Sequence, residues 1–330
     1  MKKILILILA IFCFTGCNSY TELNDLSIVS TIGIDYQDNK YLLMISTIDG
    51  KKQDNSIEKK IITYESKKSN LEEAFQEIYL KSDKKLYLSH LDLLILTKNA
   101  INQKLPEIIN NFLENNEYRN NFDVAYLDNY SLSDFKEDNI LAETINNLIK
   151  TNQKETGFTN TKDFETLLKE LLIDKNSYLP TITIENKELT LKGFTLIRDY
   201  QVYKELTLEE SILLNMLQNK IQKSYLNDTN IIENQTMIRT KNNKIYFKFL
   251  TTVSNKSNYQ EKTRKELETF LKTFQSDNYD ILKLTEKVRK NNYKYYQNTK
   301  DLLSKLEFYF DFDLKEKENY LERNDTNEKK

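Results

Sequence analysis

The chain is poor in the residues on which much of enzymology depends. Its 330 residues include one histidine, His90, two cysteines, Cys13 and Cys17, two prolines, Pro106 and Pro180, and no tryptophan. Its five glycines, Gly16, Gly33, Gly50, Gly157 and Gly193, all stand alone. No glycine-rich turn is there to cradle a phosphate, which excludes nucleotide sites of the Rossmann and P-loop kinds. One imidazole and two thiols cannot assemble a zinc site of the Cys/His type, and no serine lies in a G-x-S-x-G setting for a hydrolytic triad. No cofactor and no metal are expected. A surplus of one charge is also missing, since 48 Lys and Arg stand against 50 Asp and Glu, interleaved along the chain. That balance offers no basic field to a polyanion, so nucleic acid is not an expected partner.

Long hydrophobic runs are scarce. The one at the start, Ile4 to Phe14, follows Met1-Lys2-Lys3 and as a helix spans about 16 Å, about half of a bilayer core. It ends in Phe14-Thr15-Gly16-Cys17, which resembles the lipobox of a bacterial lipoprotein. There, signal peptidase cuts before the cysteine and the sulfur carries diacylglycerol. Two acyl chains anchor a protein stably where one does not. On this reading residues 1–16 are a signal peptide, Cys17 is the site of lipid attachment, and the body lies outside the membrane. Cleavage also removes Lys2, Lys3 and Cys13, leaving no thiol beyond Cys17. The mature body then has no disulfide and holds together by packing alone.

Beyond Cys17, β-rich and helical patterns alternate. Ile28 to Asp35 and Tyr41 to Ile48 flank the turn-forming Gln37-Asp38-Asn39-Lys40 and predict a hairpin, with a third strand over Lys60 to Tyr64. Leu71, Ala74, Phe75 and Ile78 recur at helical spacing behind a candidate N-cap, Asn70. Pro106 is expected to open a helix facing inward with Leu105, Ile108, Ile109, Phe112 and Leu113. Further on, Thr207-Leu208-Glu209-Glu210 has the form of a capping box opening a helix from Leu208 to Leu217. A late helix is expected over Ile281 to Gln297, and Leu306 to Leu314 alternates as a strand.

The fold class read from this pattern is α+β in three units, with helices packed on one face of a small, largely antiparallel sheet. The expected division is a signal peptide (1–16), a lipidated terminus and linker (17–27), an N-terminal α/β domain (28–130), and a small, mostly helical middle domain (131–188). A C-terminal α/β domain (189–314) and a charged, disordered tail (315–330) follow.

Candidates for chemistry are few. His90 lies between apolar segments with no carboxylates or thiols aimed at it, and a structural role is expected. Glu72-Glu73 and Glu209-Glu210 fall in first turns of helices, where they suit the dipole. Asp311 and Asp313 share one strand face, expected to be its wet face. The aromatic cluster Tyr293, Tyr295, Tyr296, Phe308, Tyr309, Phe310 and Phe312 is dense enough to leave rings exposed, and Tyr293 and Tyr295 are the candidates for contact with a partner. No catalytic residue is expected.

The order of motifs resembles the Ger(x)C family, the lipoprotein C subunit of spore germinant receptors. Glu22-Leu23-Asn24-Asp25-Leu26-Ser27-Ile28-Val29 leading to Gly33-Ile34-Asp35 is similar to the family's opening. Leu86-Tyr87-Leu88-Ser89-His90 resembles its L-Y-x-x-H strand pair, and Glu114-Asn115-Asn116-Glu117-Tyr118-Arg119 its R-D-x-E-x-R helix end. Gly193-Phe194-Thr195-Leu196-Ile197 and Leu208-Glu209-Glu210-Ser211 resemble its G-x-A-V-F and L-x-x-E-E/T-S elements, and Tyr279-Asp280-Ile281 its late Asp-Ile segment. Where the family has tryptophan, this chain offers Tyr20 and Tyr293 or Tyr295. The resemblance implies three mixed α/β domains, each a small, largely antiparallel sheet packed with helices, in a non-catalytic subunit anchored in the outer leaflet of the spore inner membrane. Its implied partners are the integral membrane A and B subunits. Two other classes remain open from the residues alone, a solute-binding lipoprotein and a cell-envelope hydrolase.

Overall fold

β1 (Leu26–Gln37) reverses through Asp38 and Asn39, at φ 54° and 59°, into β2 (Lys40–Gln53), which pairs in turn with β3 (Ser56–Lys68). Asp and Asn tolerate the left-handed backbone that a two-residue hairpin turn needs. This is a computed structural model, and it describes residues 25–53, 56–129, 131–133, 142–186 and 188–317. α1 (Leu71–Lys81) begins where its cap predicts: Asn70 Oδ1 accepts the Glu73 N–H at 2.7 Å, and Leu71, Ala74, Phe75 and Ile78 form its buried face. β4 (Lys85–Tyr87) and β5 (Leu93–Thr97) follow, then α2 (Lys98–Glu114) and β6 (Asp123–Leu127). Here the expected helix start is corrected. The Thr97 hydroxyl accepts the Ala100 N–H, so α2 opens at Lys98 and Pro106 lies inside it, while Leu113 is exposed rather than inward.

The chain continues through α3 (Ala142–Glu155), α4 (Phe164–Asp174), β7 (Asn176–Glu185), β8 (Glu188–Arg198), β9 (Gln201–Glu205) and α5 (Leu208–Leu217). It ends through β10 (Ser224–Leu226), β11 (Thr229–Lys241), β12 (Lys244–Val253), α6 (Tyr259–Ser276), α7 (Leu284–Asn291), α8 (Tyr293–Asn298) and β13 (Glu307–Glu316). The capping box of α5 is complete, with Thr207 and Glu210 each bonding the other's backbone N–H.

The strands form two sheets among the described residues. The first has the order β3-β2-β1-β5-β6-β7-β8-β9, with β4 also beside β1; the second runs β10-β11-β12-β13. Two expectations change. Instead of three small, largely antiparallel sheets, one mixed sheet continues through positions 131 and 189, and its centre, β1-β5-β6-β7, is parallel. Helices also cover both faces of it: α1, α2 and α4 pack on one face, α3 on the other. The cause is visible in β5, whose Leu93-Leu94-Ile95-Leu96-Thr97 is buried at every position. A parallel strand apolar on both sides needs cover on both sides.

The second sheet buries one face under α5, α6 and α7. The single late helix expected over Ile281 to Gln297 is instead two, because Asn292 interrupts it at φ −148° and its side chain accepts the Tyr295 N–H at 3.0 Å. Asn side chains compete with the helical ladder in this way. Lys315 and Glu316, assigned above to the tail, belong to β13. Residues 318–330 of the tail and the whole segment 1–24 lie outside the described residues.

Side chains weld the two layers together. The Tyr279 hydroxyl, between α6 and α7, donates to the Ser177 carbonyl at 2.6 Å and lies 3.0 Å from that of Ile197. Its ring stacks on Tyr203 at 5.4 Å, and the Arg198 guanidinium covers Tyr203 at 4.0 Å while donating to the Asp277 carbonyl. Nearby, the buried Lys162 bonds Glu170 at 2.8 Å and sits 3.7 Å over the ring of Tyr178. Lys220 donates to the Tyr178 hydroxyl at 2.9 Å. Burial pushes that phenol up, but the two ammonium groups outweigh it and hold it below its ordinary value.

Candidate partner-binding face

β12 reads Lys244-Ile245-Tyr246-Phe247-Lys248-Phe249, alternating along the strand. Ile245, Phe247 and Phe249 point into the core, which leaves Lys244, Tyr246 and Lys248 on the opposite face. β13 lies parallel to it and alternates likewise, with Phe310 buried and Tyr309 exposed. Register then arranges the outer face in rows. Tyr246 stands between Arg239 of β11 and Tyr309 of β13, Lys248 between Met237 and Asp311, and Lys244 between Lys241 and Glu307.

The tyrosines at the centre hold each other. Their rings stack at 5.0 Å and 19°, each being about two-fifths exposed (Tyr246 38%, Tyr309 40%). The Tyr309 hydroxyl donates to Glu307 at 2.7 Å, which holds that carboxyl below and the phenol above their ordinary values. Lys244 covers Tyr309 at 5.5 Å and reaches Glu307 at 4.0 Å. A hollow of about 700 Å³ is lined here by Arg239, Tyr246, Lys248, Tyr309 and Asp311. Such a face can offer ring surface, cations and, along β13, carboxylates to one ligand.

The sequence candidates fall unevenly around it. Asn291 donates to the Thr240 hydroxyl and Asn292 to Asn242 at 3.2 Å, tying the start of α8 to the β11–β12 turn. Tyr293, at the start of α8, is 56% exposed. Tyr295 is half-buried against the second core. Asp311 and Asp313 are exposed on β13. His90 is exposed in a single turn, Leu88–His90, its ring 5.3 Å from that of Tyr87. Glu72 and Glu73 occupy the first turn of α1, and Glu210 is taken up by its cap and by Lys204 at 2.7 Å. Cys17 lies outside the described residues. Reasoning from the sequence missed Arg239, Tyr246 and Lys248. The period-2 pattern of β12 was there to be read, but not the identity of its parallel neighbour.

Among the described residues no group of three or more His, Cys, Asp or Glu is placed to hold a metal ion, and no helix is long and apolar enough to cross a membrane.

Fold and face together define a mixed α/β protein that presents an aromatic, charged sheet surface. The family described as spore germination protein N-terminal domain matches residues 19–184. A solved crystal structure of the GerBC protein is similar at a TM-score of 0.54 and 14% identity, covering 87% of this chain and 97% of that one. No curated protein matches. The chain belongs to the Ger(x)C family of spore germination proteins. That family is the C subunit of germinant receptors, and membership supports a role in spore germination.

Proposed function

We propose that the chain is a lipid-anchored, non-catalytic subunit of a spore germinant receptor, held by diacylglycerol on Cys17 at the outer leaflet of the spore inner membrane. Its body docks on the integral membrane A and B subunits, and Tyr293 and Tyr295 contribute to that contact. The observation that carries this reading is the family match over residues 19–184, which begins just after the lipobox cysteine. Tethering supplies the mechanism. Confinement to a membrane raises the effective concentration of the body near other membrane proteins, so modest contacts suffice for assembly.

Cys17→Ala tests it. The expected result is loss of partitioning into a detergent phase and slower nutrient-triggered germination, with an unchanged thermal melt of the body. Partitioning equal to the wild type would overturn the anchor. Tyr293→Ala in the full chain is expected to reduce recovery of the complex from spore membranes, and full recovery removes that contact.

A further inference from the structure

Arg239, Lys241 and Lys248 stand exposed on the outer face of the second sheet with no hydrogen bond or ion pair among the described residues. Their neighbour Lys244 differs, being engaged with Glu307 and Tyr309. Arg239 and Lys241 are two positions apart on one strand face, a spacing of about 7 Å, which is also the repeat of alternate side chains along an extended chain. Tyr246, between Arg239 and Tyr309 in register, offers ring surface beside them. Most of the acids stand to one side, with Glu307, Asp311 and Asp313 on β13, while Glu233 of β11 lies six residues from Arg239, about 20 Å along the strand.

We propose that this face receives an acidic, extended segment of a partner protein. Its alternate carboxylates pair with Arg239, Lys241 and Lys248, and its backbone crosses Tyr246. The charge pattern distinguishes this occupant from an anionic bilayer. A lipid sheet is broad and uniformly negative, so it would press against Asp311 and Asp313 as well as the cations. A single strand laid along β11 and β12 gains the cations and avoids the β13 acids. The hollow of about 700 Å³ is lined by Arg239, Lys241 and Lys248, with Asp311 only at its β13 side, so its β11–β12 half seats such a segment. The inference rests on the subunit reading above only for the partner's place in a membrane complex.

The probe is an eight-residue fluorescent peptide alternating glutamate and threonine, titrated against the full chain. Matched peptides carry glutamine or lysine for glutamate, and phosphatidylglycerol vesicles form a further arm with the Cys17→Ala chain. We expect the glutamate peptide to bind about tenfold tighter than the glutamine peptide, with an affinity that falls as salt rises. Arg239→Glu with Lys248→Glu should lose the glutamate peptide and gain the lysine peptide. Arg239→Gln with Lys248→Gln, which places no new charge, should show the same loss of the first. Equal binding of the glutamate and glutamine peptides overturns the proposal. So does vesicle binding that depends on Arg239 and Lys248. Because detergent partitioning of Cys17→Ala reads the anchor separately, either reading can fail while the other stands.

Discussion

Gly193 of β8 faces Ser211 of α5 so closely that a Cβ built on the glycine would lie 3.1 Å from the serine Cβ and nearer still to its hydroxyl. Gly193 also has φ +86°, a conformation that side chains rarely adopt. The two residues stand in the two family-like elements of the C-terminal half, so those motifs mark a place where a helix presses onto a strand. Gly193→Ala is expected to lower stability by about 1–3 kcal/mol through strain and crowding. Adding Ser211→Gly should return the crowding part and leave the strain. A thermal-melt double-mutant cycle checks this, and strict additivity would argue against the contact.

The buried pair Lys162–Glu170, at 2.8 Å, also receives the Ser177 hydroxyl. Removing Lys162 leaves Glu170 a second cation, Lys283 at 3.6 Å, whereas removing Glu170 strands the Lys162 charge in the core. Glu170→Ala is expected to cost about 3–5 kcal/mol in urea unfolding. Replacing both, Lys162→Met with Glu170→Leu, should recover most of that loss.

Tyr279→Phe keeps the ring on Tyr203 and removes the hydroxyl that reaches β7 and β8. Two buried carbonyls lose their shared donor, at a cost of about 1–3 kcal/mol. Hydrogen exchange should rise first at Ser177 to Ile182 and in the segment joining α6 to α7, and protection as in the wild type would show that water replaces the phenol there.

Asp123 gives the pH dependence. Burial raises its carboxyl above the ordinary value, with Lys150 opposing and Asp163 and Asp92 adding to the rise. The folded chain then holds the proton more tightly than the unfolded one. This group's contribution is most favourable below the unfolded value near 3.8 and declines as pH rises through the raised folded value. Asp123→Asn is expected to melt higher than the wild type at pH 7 and to lose that advantage as pH falls to about 3.5. Melting curves across this range decide it, and an advantage that grew toward acid would reverse the sign.

Sequence alone determined what depends on a few neighbouring residues: the Asn70 cap, the Thr207–Glu210 capping box, and the hairpin turn at Asp38-Asn39. Each has its cause within one turn of backbone, so the residues could be read without knowing what they pack against. Tertiary structure decided what depends on distant partners. Leu93 to Thr97 already had the unbroken apolar character of a parallel strand, but only the order of the sheet put α3 on one side of it and α1, α2 and α4 on the other. Tyr309 looked like one aromatic in a crowded run until register set it against Tyr246 and left Phe310 in the core. Strand pairing is settled by the packing of the whole sheet, and no local pattern in β12 or β13 encodes which strand will lie alongside.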